Sequence, residues 1–172
     1  MNLTLEDARR QLAATGTCIR TLAGDVGAEQ ARWKPAPEKW SILEVVNHLA
    51  DEEVEDFRTR LDLTLHRPGE PWPGIDPQGW VAARAYAERD PGESLDRFAR
   101  ERERSLAWLA TLADPDWERA YAHPAAGRIT AGSLLASWVA HDLLHVRQIT
   151  RLRYEWLTAR AHPHSAAYAG PW

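Results

Sequence analysis

The sequence predicts an all-α protein, a four-helix bundle with a long crossover between helices two and three. Three observations carry this expectation. Four segments repeat apolar residues at three- and four-residue spacing, a stretch rich in helix breakers separates the second from the third, and strand signals are absent. The chain of 172 residues has the length of one ordinary domain, residues 1–172, and can bury a core without staples.

Helix one is expected from about Leu3 to Leu22, where Leu5, Ala8, Leu12, Ile19 and Leu22 share a face before Gly24 and Asp25 stop it. Helix two starts sharply at Ser41. Ser41 and Glu44 make a capping box, Trp40 and Val45 suit a hydrophobic staple, and Pro35 and Pro37 exclude an earlier start. Its apolar face of Ile42, Val45, Val46, Leu49, Phe57, Leu61 and Leu65 continues to about His66. The crossover follows, broken by Pro68, Gly69, Pro71, Pro73, Gly74, Pro77 and Gly79, with a short helix expected at Gln78–Arg89. A connection this long frees helices two and three from forming a tight hairpin. Helix three is expected at Glu93–Leu112, with Leu95, Phe98, Leu106, Leu109 and Leu112 facing inward and Arg102, unusually, on the same face. Tyr121–Arg128 reads as a loop. Thr130 caps helix four, which runs to about Ala159, and the tail from His162 to Trp172 reads as irregular.

Net charge of -4 speaks against a nucleic-acid partner, which needs a basic face. Of the 21 basic residues only Lys34 and Lys39 are lysines. Cys18 stands alone, so no internal disulfide forms, which fits a reducing, cytoplasmic setting. Met1–Asp7 lacks the basic region and apolar run of a secretory signal, and no apolar stretch approaches a membrane span. Nine tryptophans are spread along the chain and are expected in the core or at a subunit interface.

The chemical signal lies in helix four. Its apolar stripe reads Leu134, Trp138, His141, His145, Ile149, Leu152, Trp156, so both histidines point into the bundle. Spaced i and i+4, two imidazoles stack one turn apart and can reach one ion of zinc type at about 2.0–2.1 Å. Two ligands are too few for a tight site. His48, beside Val45 and Leu49 on helix two, is the candidate third. Three histidines leave a coordination position open, the pattern of catalytic rather than structural metal sites. From the residues alone, a pair of hydrogen-bonded core histidines explains the stripe equally well.

The run from Trp33 to Glu53, with Trp40-Ser41 and Asn47-His48-Leu49 within it, resembles the second-helix signature of the DinB-like superfamily. Gly127-Arg128-Ile129-Thr130 followed by His141-Asp142-Leu143-Leu144-His145 resembles its fourth-helix signature. The resemblance implies a four-helix bundle holding a divalent metal, zinc or nickel, on three histidines, which map onto His48, His141 and His145. It further implies a metal-dependent enzyme acting on a small-molecule substrate, either a transferase using a low-molecular-weight thiol or a hydrolase activating water. A non-catalytic metal-binding or stress-response bundle is the alternative. Relatives are often dimers, and exposed tryptophans with an extended C-terminal segment are compatible with a homodimer.

Glu52, one turn after His48, is read as a fourth ligand or general base, or else as part of a solvated acidic face with Asp51, Glu53, Glu55 and Asp56. Gln148 is read as contacting substrate or cofactor, or bridging helices. Arg102 is read as holding an anionic substrate or pairing with a buried carboxylate. Asp142 is read as an acceptor orienting a ligand imidazole or, being about 100° round the helix from His141, as an exposed residue, the reading the angle favours. His66, His123, His162 and His164 read as surface residues, Trp40 and Trp138 as core, and Cys18 as a small buried hydrophobe.

Overall fold

A computed structural model describes residues 3–170 and 172. The helices are α1 (Leu5–Gly24), α2 (Ala28–Arg32), α3 (Ile42–Asp51), α4 (Arg58–His66), α5 (Pro77–Ala83), α6 (Pro91–Thr111) and α7 (Ala131–Arg160). A π-helical turn, Glu52–Phe57, joins α3 to α4, so helix two is one rod from Ile42 to His66 with a widened middle. The bundle consists of α1, this composite rod, α6 and α7.

Local chemistry sets the helix starts. Thr4 and Asp7 form a capping box on α1, and Ser41 and Glu44 form the expected one on α3. Asp90 caps α6 with Pro91 in its first turn, and Thr130 caps α7.

The helix order is not a simple up-and-down ring. α1 runs parallel to α7, since Thr15 meets Asp142 and Leu22 meets Arg153. α6 runs antiparallel to α1, with Gly16 against Arg102 and Gly24 against Leu95. Helix two lies parallel to α6, through Asn47–Ser94 and Arg58–Ser105, and antiparallel to α7, through His48–His141 and Phe57–Trp138. Helices two and three are therefore parallel neighbours. The chain must return along the bundle between them, which is what the crossover of residues 67–90 does.

Part of the chain departs from expectation. The segment 120–130 is an antiparallel hairpin, β1 (Ala120–His123) and β2 (Gly127–Thr130), rather than a loop. Its strands are too short to show alternation, and Gly127, at φ 73°, supplies the left-handed residue that closes the three-residue turn. The crossover holds α5 and a single 3-10 turn, Tyr86–Glu88, in place of one continuous helix, because Ala85 sits at φ 48°.

The core has two lobes. Leu12, Phe57, Leu61, Leu109, Leu135 and Trp138 fill one, and Ile19, Val45, Leu49, Phe98, Ile149 and Leu152 fill the other. The polar residues of the site lie between them.

Candidate metal centre

His48, His141 and His145 converge where helix two crosses α7. The Nε2 atoms of His48 and His141 are 3.3 Å apart, and those of His145 and His141 are 3.1 Å apart. One ring nitrogen from each histidine lies within 4.8 Å of the others. Three nitrogens about 2.0–2.1 Å from one tetrahedral ion would lie about 3.3–3.4 Å apart. Spacing and donor type therefore fit a divalent metal.

Protonation points the same way. Burial pushes His48 down from 6.5 to about 2, helped by the neighbouring His145 and His141, and holds His141 at about 4. His145 is also lowered, again chiefly by burial. All three are neutral near pH 7, the form that ligates metal. The His145 Nδ1 lies 2.8 Å from Gln148 Oε1, so its N–H donates there and Nε2 keeps a free lone pair aimed at the cluster. A single N–H shared among three facing imidazoles cannot satisfy all of them, whereas one cation does.

Around the cluster lie aromatic rings. The Trp40 ring is 4.9 Å from that of His48, and Phe57 is 5.1 Å from His141 while stacking on Trp138 at 5.6 Å. These rings exclude water from two sides. Trp138 is core, as expected, and Trp40 is a half-buried wall of the site.

Glu52 lies behind His48 rather than at the convergence point. Its Oε1 is 3.7 Å from His48 Nδ1, the ring nitrogen facing away from the other histidines, and neither atom has a hydrogen-bond partner. Burial, followed by the charge of Asp56, raises Glu52 from 4.5 to about 8. The expected solvated acidic face is reduced to Glu55, which is half-exposed, while Asp51, Glu52, Glu53 and Asp56 are all buried. Glu52, Glu53 and Asp56 lie in the π turn and Asp51 ends α3, a helix buried on every side, so the rod shows no broad solvated face here.

Arg102 takes the second of its two expected roles, pairing with buried carboxylates, and Asp142 is the clearest correction. Asp142 is wholly buried, because α1 and α6 cover that side of α7. It accepts from Thr15 Oγ1 and from both terminal nitrogens of Arg102, Nη1 at 2.5 Å and Nη2 at 2.9 Å. Arg102 also donates from Nε to Glu53 Oε1 at 3.0 Å, from Nη2 to the same oxygen, and from Nη1 to the Leu12 carbonyl at 2.7 Å. All five of its N–H groups are used inside the chain, leaving none for an anionic ligand. Glu53 accepts in addition from Trp138 Nε1 at 3.0 Å. This clamp ties all four bundle helices together one residue from His141. Gly16 makes room for it, since a Cβ there would lie 3.2 Å from Arg102 Cγ. An inward-facing arginine was the one signal in the sequence that demanded buried carboxylates, and it did not say which.

The model of the DinB superfamily matches residues 11–149. The chain belongs to the DinB superfamily. Its three histidines thus sit in a fold and family consistent with the resemblance drawn from the two helix signatures. This DinB-superfamily chain is 32% identical over 116 residues to a Bacillus subtilis protein named "Putative metal-dependent hydrolase YfiT", a match covering 66% of the chain and 64% of that protein. An Oceanobacillus iheyensis protein named "Putative metal-dependent hydrolase OB0782" is 29% identical over 160 residues, 90% of each. The solved structure of YfiT from Bacillus subtilis, described as having "an unusual four-helix bundle topology", superposes with a TM-score of 0.78 at 24% identity, over 88% of this chain and 87% of that one. That likeness establishes the fold. No helix among the described residues is long and apolar enough to cross a membrane.

Proposed function

We propose that this chain is a metal-dependent enzyme in which His48, His141 and His145 hold one divalent ion, zinc or nickel, and that the open position takes the thiol of a low-molecular-weight cosubstrate. A bound ion would supply Lewis acidity, lowering the pKa of a thiol or water placed there. One observation carries the choice of thiol. The cluster of candidate ligand atoms contains three imidazole nitrogens and no carboxylate, and Glu52 stands on the far side of His48. A coordinating thiol loses its proton outright and needs no adjacent base. Water attack is served by a general base within hydrogen-bond reach. The designations of the relatives favour the second reading, a hydrolase.

The chain's own residues have separable tasks. Gln148 fixes the tautomer and ring angle of His145, and Glu52 backs His48 from the Nδ1 side at 3.7 Å. Trp40 and Phe57 keep the site dry. The Arg102 clamp holds the α7 backbone at Asp142, fixing His141 beside it. The test is turnover of an aryl chloride electrophile by metal-loaded protein, with and without a panel of small thiols. Thiol-dependent product supports the transferase, and release of chloride without thiol supports the hydrolase. No turnover in either assay, while metal is bound, supports a non-catalytic metal-binding protein.

A further inference from the structure

Next to the histidines lies a cleft of about 260 Å³ between the segment before α3 and the second half of α7. Two of its wall residues touch the candidate ligands directly. Trp40 packs on His48 at 4.9 Å, and Gln148 accepts from His145 at 2.8 Å. Pro35, Ala36 and Leu152 add apolar surface to the Trp40 face. Its volume is just below the roughly 300–1,000 Å³ of sites for drug-sized ligands, so the occupant is small.

The rim carries Lys39, Arg151 and Glu155. Arg151 gives its Nε–H to Glu155 at 2.7 Å. Lys39 is exposed, and its ammonium makes no ion pair among the described residues. Lys34, the other lysine, is spent on Glu44 at 2.6 Å. Two cations and one carboxylate leave the rim one positive charge, in a chain whose net charge is -4. That balance suits a monoanion. A dianionic phosphate would meet Glu155.

We propose that this cleft seats the anionic end of the enzyme's small-molecule substrate or cosubstrate: a carboxylate on Lys39, an apolar body on Trp40 and Leu152, and the reacting end toward the three histidines. The assignment rests on reading those histidines as the reactive centre, and it adds the ligand class, a small organic monocarboxylate.

The test uses 3-phenylpropionate and its neutral counterpart 3-phenylpropanol as probes, titrated calorimetrically into wild type, Lys39→Gln, Lys39→Arg and Trp40→Leu. Each is measured with metal and after chelation, with metal content determined separately. Wild type binds the carboxylate about fivefold tighter than the alcohol, the scale of one partly exposed ion pair. Lys39→Gln abolishes that difference without changing alcohol binding, Lys39→Arg retains it, and Trp40→Leu weakens both probes alike. Equal binding of the two probes to wild type overturns the proposal, as does a Lys39→Gln variant that discriminates like wild type. Loss of carboxylate binding on chelation also overturns it, because the carboxylate is then a metal ligand. Discrimination that persists in protein unable to retain metal refutes the metal reading and leaves the cleft assignment standing.

Discussion

Replacing Arg102 with methionine removes a guanidinium whose five donors are all committed. It leaves two carboxylates, Glu53 and Asp142, that are 2% and 1% exposed and have lost their countercharge. Removing one partner of a buried ion pair costs about 3–5 kcal/mol, since the remaining charge must be buried alone or take up a proton. At about 2–4 °C per kcal/mol for a chain of this size, Arg102→Met should melt about 6–20 °C below wild type. Thermal and urea unfolding followed by circular dichroism measure this. Restoring neutrality with Glu53→Gln and Asp142→Asn in the same chain should recover part of the loss. An Arg102→Met protein within about 1 kcal/mol of wild type would refute the reasoning, because it would place the clamp in the energy range of surface pairs.

Four further outcomes are expected. Glu52→Gln should lower metal affinity about 10–100-fold in competition titrations, while leaving metal-free stability unchanged or higher, because it relieves the carboxylate contact with Asp56. Gln148→Leu, which removes the acceptor for His145 Nδ1, should weaken metal binding by a similar factor without altering the circular dichroism spectrum. Stability of the metal-free protein should depend on pH in two opposed ways. The three histidines are lowered from 6.5 when folded, so the unfolded chain takes up protons that the folded state refuses, and stability falls as pH drops from about 6.5 toward 4. Glu52 is raised from 4.5 to about 8, so its contribution is complete below 4.5 and is lost as pH rises to 8. Three groups against one place the maximum near pH 6.5, and urea midpoints across pH 4.5–8 check it. Ser41→Ala, which removes a buried cap shared with Glu44, should cost about 1–2 kcal/mol in the same assay.

How much could be read from residues alone varied with the kind of signal. The helices were legible because each exposes one apolar stripe and begins at a side-chain cap, and observed starts lie within two residues of expectation for helices one to four. The long crossover was legible from its breakers, but the reason for it, two parallel neighbouring helices, was not. Parallel packing leaves no local mark. His141 and His145 announced themselves by lying on a stripe, and His48 came from the signature around it. Less visible were the buried acids of helix two. Asp51, Glu52, Glu53 and Asp56 read as a solvated run because burial of carboxylates depends on partners distant in the chain, such as Arg84, Arg97 and Arg102. The π turn that holds three of them has no periodicity of its own. Asp142 failed for the same reason. Its neighbour His141 faces helix two, while Asp142 faces α1 and α6, and a helix surrounded on several sides buries more than one stripe.

The central claim, that three histidines hold one metal ion, is tested most directly by elemental analysis of purified protein loaded with zinc or nickel and then dialysed. The structure predicts about one ion per chain in wild type and a loss of retained metal in His48→Ala, His141→Ala and His145→Ala proteins whose circular dichroism spectra stay helical. Wild-type protein that retains no metal, or a His145→Ala protein that retains as much as wild type, would contradict it.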